Sequence, residues 1–463
     1  MAEPTYPVSG QPYAEHGGRI NIYAALTIPV LLSALVLIFS YKSSELIVCG
    51  GMLFFFAISI FLLTGNVFSR SVYIFFLIQF TVSFRLPLSL YITMISLLFF
   101  PLALRRGAFS NELTAPPCVK PLLLLLSGGA VSLIYLSITN YGELKYFFMY
   151  DIFFLLGLAV AYEMFIAFRL KLLTPDKLIR YIGLSGIVIV CAVVGKYAAN
   201  GISPTTIFSE RLGFSVGVNP NITTAYLDLA LPCAFFTAFF EKRNFLKKIF
   251  FYLISLVMVF AIILAATRGS LPGIAILVAY VIWRKRSKLL ILGVLVCTVI
   301  IVSTLGARLT ERLLSPNVAD ILSNMGRVEM LRSAHKILKE NHYFFGIGMN
   351  NFSQMKFAYG FPQWFDTRKV MSSHNFFVEI WLGWGLLGLL GWLTLNTAVV
   401  ISIFRKHKDN LVANAVAFAV VAFSAHGLLD SMCANFSIMF TYFSLLGAAF
   451  FIMTSTSLKP DNE

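Results

Sequence analysis

Apolar residues run along this chain in stretches of about 20, the length an α-helix needs to cross a bilayer, and short polar or Gly/Pro-marked segments separate them. The stretches fall near 21–40, 46–64, 71–84, 86–104, 121–139, 146–168, 178–197, 222–240, 248–266, 270–283, 288–305, 376–402, 411–430 and 434–455. Those at 71–84 and 270–283 are short for a span, so the pattern predicts about 12 to 14 transmembrane helices. The segment 306–373 breaks the rhythm and is too polar to span. Within it, "GRVEMLRSAHKILKE" puts Val328, Leu331, Ala334 and Leu338 at helical spacing, with Arg332, Lys336 and Lys339 off that stripe. Such a helix lies on a membrane surface or on the bundle. A glycine-marked turn, "FFGIGMNNF", follows it.

Composition agrees with that pattern. Of 463 residues, 58% are hydrophobic and 12% charged, against about 25% charged in soluble domains. The expected fold class is all-α, a polytopic integral membrane protein with one large extramembrane loop. The formal net charge of +15 would suggest nucleic acid in a soluble protein. Here the surplus sits between apolar runs, at Arg105–Arg106 and within 169–180, 241–248, 284–288 and 405–408. Five basic clusters on one side follow the positive-inside pattern, which makes that side cytoplasmic and removes the reason to expect nucleic acid.

Both termini then lie inside. Residues 1–20 read as a cytoplasmic tail with no removable signal peptide. A helical bundle follows over 21–305, with an outer loop near 198–221, and then the large outer loop 306–373. The last transmembrane helices occupy 374–455, and 456–463 is a second cytoplasmic tail. In a bacterial inner membrane the outer side is periplasmic. The six cysteines are scattered and form no CxxC pair, so neither a disulfide framework nor a metal site is expected.

This topology gathers chemistry on the outer face. Arg211 lies in the 198–221 loop, Arg268 in the turn "ATRGS", and Arg327 at the start of the amphipathic helix. Guanidinium suits phosphate because its planar fork grips two oxygens and stays charged. Singly, each arginine is equally an ordinary snorkelling or surface charge. His374 and Asn375 end the large loop, where Ser372, Ser373 or His374 is placed to cap the next helix. Glu379, four residues after Asn375, shares its helix face and is within hydrogen-bonding reach of it. Gly385, Gly388 and Gly391 recur every three residues, which suits close helix packing in lipid. A histidine beside arginines is biased toward its neutral form, which can accept a proton. Asp228, inside a span, and His426 and Asp430, one turn apart near an outer helix end, are further candidates, for function or for tying helices together. No DxD, HExxH or His/Cys cluster stands on this face, so no catalytic metal or other cofactor is expected.

Four segments together resemble the O-antigen ligase and polymerase superfamily: "RLGFSVGVNPNITTAYLDLALP", "ATRGS", "GRVEMLRSAHKILKENHYFFGIGMNNF" and "SSHNFFVEIWLGWGLLGLLGW". The resemblance covers about the second half of the chain; the first half agrees only in hydropathy. It implies a membrane-embedded, inverting, metal-independent glycosyltransferase of the inner membrane, acting on its periplasmic face. The donor would be a glycan on undecaprenyl pyrophosphate. The acceptor would be lipid A–core for a ligase, or a second lipid-linked glycan for a polymerase. The resemblance assigns pyrophosphate binding to Arg211, Arg268 and Arg327, and activation of the acceptor hydroxyl to His374. A polysaccharide transporter or flippase is the alternative from another class, although no inverted repeat is visible.

Overall fold

Long apolar runs in a low-dielectric medium must satisfy their own backbone, and a helix does so within one segment. The structure, a computed structural model, describes residues 72, 116–139, 144–203, 212–213, 219–240, 244–265, 267–285, 318–349, 351–362, 372–432 and 435–454. Among them all regular structure is helical. The helices are α1 (Val119–Thr139), α2 (Leu144–Arg169), α3 (Pro175–Ala199), α4 (Pro220–Phe240), α5 (Phe245–Ala265), α6 (Leu271–Lys285), α7 (Val318–Ile337), α8 (Phe352–Met355), α9 (Phe376–Lys406), α10 (Leu411–Gly427) and α11 (Phe436–Thr454). Five of them, α1, α3, α5, α9 and α11, are long and apolar enough to cross a membrane, and α6 and α10 are shorter apolar helices. The chain is an all-α polytopic membrane protein. The spans expected near 21–40, 46–64, 86–104 and 288–305, and the two tails, lie outside the described residues.

Helix α4 is central, packed between α3, α5 and α10. Around it α1 pairs with α9, α2 with α11, and α6 with α10. On α5 the inward face holds Ile254, Ser255, Met258, Ala261 and Ile262, all buried. Its outward face holds Phe250, Leu253, Leu256 and Phe260, all exposed. A helix that is apolar on both faces belongs beside lipid, not water. Cys118 and Cys233 are buried free thiols and Cys191 is exposed.

Of the periodic glycines Gly385, Gly388 and Gly391, the last two sit at a close helix crossing and the first does not. A Cβ on Gly128 of α1 would lie 2.4 Å from the Gly388 backbone nitrogen, and one on Gly391 would lie 2.4 Å from that of Leu125. Such approach strengthens dispersion contact between helices in lipid. Gly385 instead marks a break in α9: Trp384 has φ −117°, ψ 15° and Gly385 has φ 65°. The left-handed φ favours glycine.

The groups exposed by that break are satisfied from outside the helix. After a π-helical turn at Leu338–His342, the segment 343–348 lies against it. Ile347 N–H donates to the Leu382 carbonyl (2.6 Å), Gly348 N–H to that of Gly383 (3.0 Å), and Leu386 N–H to that of Tyr343 (2.8 Å). Ser132 of α1 adds a hydroxyl donor to the Gly383 carbonyl at 2.7 Å. Non-helical backbone at membrane depth survives only when protein supplies its partners.

The helix in the polar loop is rotated from its predicted face. Met330, Ala334, Ile337 and Leu338 are buried against Ile347, Phe352, Phe361 and Leu382, whereas Val328 and Leu331 are 53% and 40% exposed. Two overlapping apolar stripes share Ala334 and Leu338. The inward one has the spacing i, i+4, i+7, i+8, and packing on α9 selects it.

Alternation of the helices sets two ends. The basic residues Arg169, Arg284, Arg405 and Lys406 fall in last turns, and Arg284 pairs with Asp409 beyond the end of α9. The starts of α4, α6 and α9 and the end of α10 lie at the other end.

The α1–α9 crossing yields a paired test. Gly128→Ala should lower stability by about 1–3 kcal/mol, because the clashing atoms are backbone and cannot rotate away. Gly195→Ala in α3, with nothing within 4 Å, should be neutral or stabilising by up to about 1 kcal/mol. Thermal unfolding of the detergent-solubilised proteins measures both, and equal effects would contradict the close crossing.

Candidate active site

At the end away from the basic clusters, four chain segments meet. The first is the start of α4. Pro220 opens this helix, a position where its missing N–H costs nothing, and Asn219 Oδ1 accepts from Asn221 N–H at 2.9 Å. The second is the turn 267–270 between α5 and α6. The third is the start of α9, and the fourth is the turn after α10.

Asn375 caps α9, with φ −143° and ψ 118°. Its Oδ1 accepts from Val378 N–H at 3.0 Å, and its Nδ2 donates to the Leu428 carbonyl at 2.9 Å. The cap is thus Asn375, not Ser372, Ser373 or His374. It also ties α9 to the turn after α10. Glu379 does not bond the Asn375 side chain, as its spacing suggested. Its buried carboxylate accepts from Ser373 N–H and closes the loop end onto the helix.

His374, between these anchors, has φ 56°, a sparsely populated conformation for a side chain with a Cβ. Its Nδ1 lies 2.9 Å from Asp430 Oδ1. The same carboxylate accepts from Ser431 N–H at 2.8 Å and, through Oδ2, from Asn221 Nδ2 at 2.5 Å. Burial pushes the Asp430 carboxyl up. The His374 hydrogen bond, the positive charge that His374 and His426 can carry, and the Arg327 guanidinium outweigh it and hold Asp430 below the usual carboxylate value. With Asp430 ionised, Nδ1 carries the proton, and a neutral ring keeps its lone pair on Nε2. The His374 side chain is 30% exposed and that of Asp430 13%, so the carboxylate is covered while the ring keeps an open edge.

His426 and Asp430, one turn apart, do not pair with each other. His426 Nδ1 lies 2.7 Å from Asp228 Oδ2, and Ser270 Oγ donates to the same oxygen at 2.8 Å. Asp228 and His426 are each 1% exposed, and Ser270 is fully buried. Pro232 of α4, four residues on, removes the usual helix donor to the Asp228 carbonyl, a local loosening where the carboxylate meets two other helices. The His426 carbonyl in turn accepts from Leu429 and Asp430 N–H.

Of the arginines, Arg268 lies in the turn 267–270 and is partly exposed. Arg327 lies on α7, also partly exposed, near enough for its charge to act on Asp430. Arg211 is outside the described residues; the neighbouring Leu212 and Gly213 are tied to Leu264 and Tyr197. Sequence reasoning missed two residues. In the sequence Asn221 stands in the stretch "NPN" before a span and Ser270 beside Arg268 in "ATRGS"; nothing local marks either as a carboxylate partner. Among the described residues no three His, Cys, Asp or Glu side chains gather as metal ligands.

Residues 224–393 match the family model described as O-antigen ligase. That stretch contains Asp228, Arg268, Arg327, His374, Asn375 and Glu379 and stops short of His426 and Asp430. The chain is also similar to the teichuronic acid biosynthesis protein TuaE of Bacillus subtilis (strain 168), 22% identical over 273 residues, 55% of this chain and 55% of that protein. The chain thus spans about half the length of the curated relative it matches. Over residues 224–393, then, this polytopic membrane protein is similar to the O-antigen ligase family.

Proposed function

We propose that this protein transfers a glycan from undecaprenyl pyrophosphate to an acceptor hydroxyl on the periplasmic face of a bacterial inner membrane, with lipid A–core the preferred acceptor. The observation that carries this reading is the 2.9 Å contact between His374 Nδ1 and Asp430, inside an O-antigen ligase family framework. It leaves Nε2 outside that contact, on a side chain that is 30% exposed.

In this mechanism Nε2 takes the proton of the acceptor hydroxyl. The hydroxyl oxygen bonds to the anomeric carbon from the face opposite the leaving group, which inverts that centre. The bond from anomeric carbon to pyrophosphate oxygen breaks, and the electron pair leaves with the pyrophosphate. Arg211, Arg268 and Arg327 neutralise that charge, a role metal ions play elsewhere. Asp430 holds the ring in one tautomer and steadies the imidazolium once it forms. A second reading, consistent with the similarity to a teichuronic acid biosynthesis protein, keeps the same donor chemistry and takes a second lipid-linked glycan as the acceptor.

Four outcomes follow for purified protein given a defined undecaprenyl pyrophosphate glycan and the two candidate acceptors. His374→Gln should lose roughly 100- to 10,000-fold in turnover, and Asp430→Asn at least ~10-fold through the wrong tautomer; near-normal turnover in the glutamine variant would remove the base. Arg268→Lys should lose on the order of 100-fold although charge is kept, since the bidentate fork is gone; full activity there would leave Arg268 a snorkelling residue. Excess EDTA should leave the rate unchanged, and abolition reversed by Mg²⁺ or Mn²⁺ would refute the metal-independent route. Absence of transfer to either acceptor, with movement of the lipid-linked glycan across the membrane instead, would favour a flippase.

A further inference from the structure

We propose that Asp228, Ser270 and His426 are positioning residues that hold the 267–270 turn, and with it Arg268, against the end of α10 that carries Asp430. The inference rests on the pyrophosphate-donor reading given above and extends it to a buried cluster that touches no substrate.

The trio has the composition of a nucleophilic triad without its geometry. Ser270 Oγ lies 2.8 Å from Asp228 Oδ2 and 3.1 Å from His426 Nδ1, the same nitrogen that meets the carboxylate, so the ring does not relay between hydroxyl and carboxylate through its two nitrogens. All three side chains are sealed from solvent, so no substrate reaches the serine. Their contacts run to the arginine turn instead. Ser270 follows Arg268 by two residues, and its carbonyl accepts from Ile274 N–H at 3.2 Å, the first turn of α6. Thr267, on the other side of Arg268, donates to Ser270 Oγ at 3.4 Å. Between them, a Cβ on Gly269 would lie 3.0 Å from His426 Cδ2, so the turn rests directly on the imidazole. On its other side His426 anchors the turn after α10, because its carbonyl takes the Asp430 N–H at 3.1 Å.

One buried carboxylate on α4 thus sets the placement of two outer segments, the Arg268 turn and the Asp430 turn. A buried Asp–His–Ser set whose members pair with one another is costly to distort, since any shift leaves a polar group unpaired away from water. Rigidity of this kind matters for a guanidinium meant to grip two phosphate oxygens, because small misplacements forfeit the fork geometry. A cluster that merely glued helices together would lower stability when cut and leave ligand affinity alone.

The test uses the full chain in nanodiscs and undecaprenyl pyrophosphate as the probe, with binding and thermal unfolding measured in parallel. Ser270→Ala, which deletes one hydroxyl, should bind roughly 10-fold more weakly, the worth of a hydrogen bond to a charged group. Arg268→Ala should weaken binding at least as much. The double variant should bind no worse than Arg268→Ala alone, because Ser270 acts only through the arginine. His426→Asn keeps a donor where Nδ1 stood and should retain most of the affinity, whereas His426→Leu should fall with Ser270→Ala. Wild-type affinity in Ser270→Ala, a further loss in the double variant, or equal behaviour of the two His426 variants would overturn the positioning role. Failure of the wild-type protein to bind the probe would instead overturn the donor reading, and this inference with it.

Discussion

Removing a carboxylate from water costs several kcal/mol unless donors replace what water supplied. The outer end of this bundle is organised around two such carboxylates. Asp430 takes donors from His374, Ser431 and Asn221, which join the starts of α9 and α4 to the turn after α10. Asp228 takes donors from His426 and Ser270, which join α4 to α10 and to the start of α6. Four helices therefore share their polar satisfaction at one end, and none can withdraw without stranding a buried polar group. The same requirement that makes these groups expensive makes their geometry specific.

The break in α9 obeys the same rule in backbone form. Tyr343, Ile347 and Gly348 supply partners to Leu382, Gly383 and Leu386, the residues that flank the break at Trp384 and Gly385. A Cβ on Gly346 would stand 2.7 Å from the Gly383 carbonyl oxygen, so the approach depends on glycine there too. This contact docks an interior segment of the polar loop onto a membrane helix. It brings the π-helical turn and α7, with Arg327, to the same end as His374.

Much of this architecture is legible in the sequence, and the reason is physical. Apolar runs of spanning length announce membrane helices because lipid tolerates little else, and each run from 121 onward that lies among the described residues is helical. The basic clusters separate one end from the other. What the sequence hides is pairing. Asp430 stands 56 residues from His374 and 209 from Asn221, and no local spacing links them. His426 and Asp430 look like partners at i, i+4, yet each is claimed by another helix. Gly385 belongs to a periodic glycine row and still serves a different purpose from Gly388 and Gly391, because only the arrival of segment 343–348 reveals the break. The sequence reading picks the wrong stripe of α7 for a similar reason: two stripes are apolar, and the surface of α9 decides between them.

The central claim is that Asp430 fixes the His374 ring so that Nε2 faces the acceptor with its lone pair free. Nitrogen-15 magnetic resonance of histidine-labelled protein, assigned by comparison with His374→Gln, reads this directly at a pH where the ring is neutral. The account predicts a protonated Nδ1 and a bare Nε2, with Asp430→Asn mixing the two tautomers. A ring protonated at Nε2 and bare at Nδ1 in the wild-type protein would contradict it.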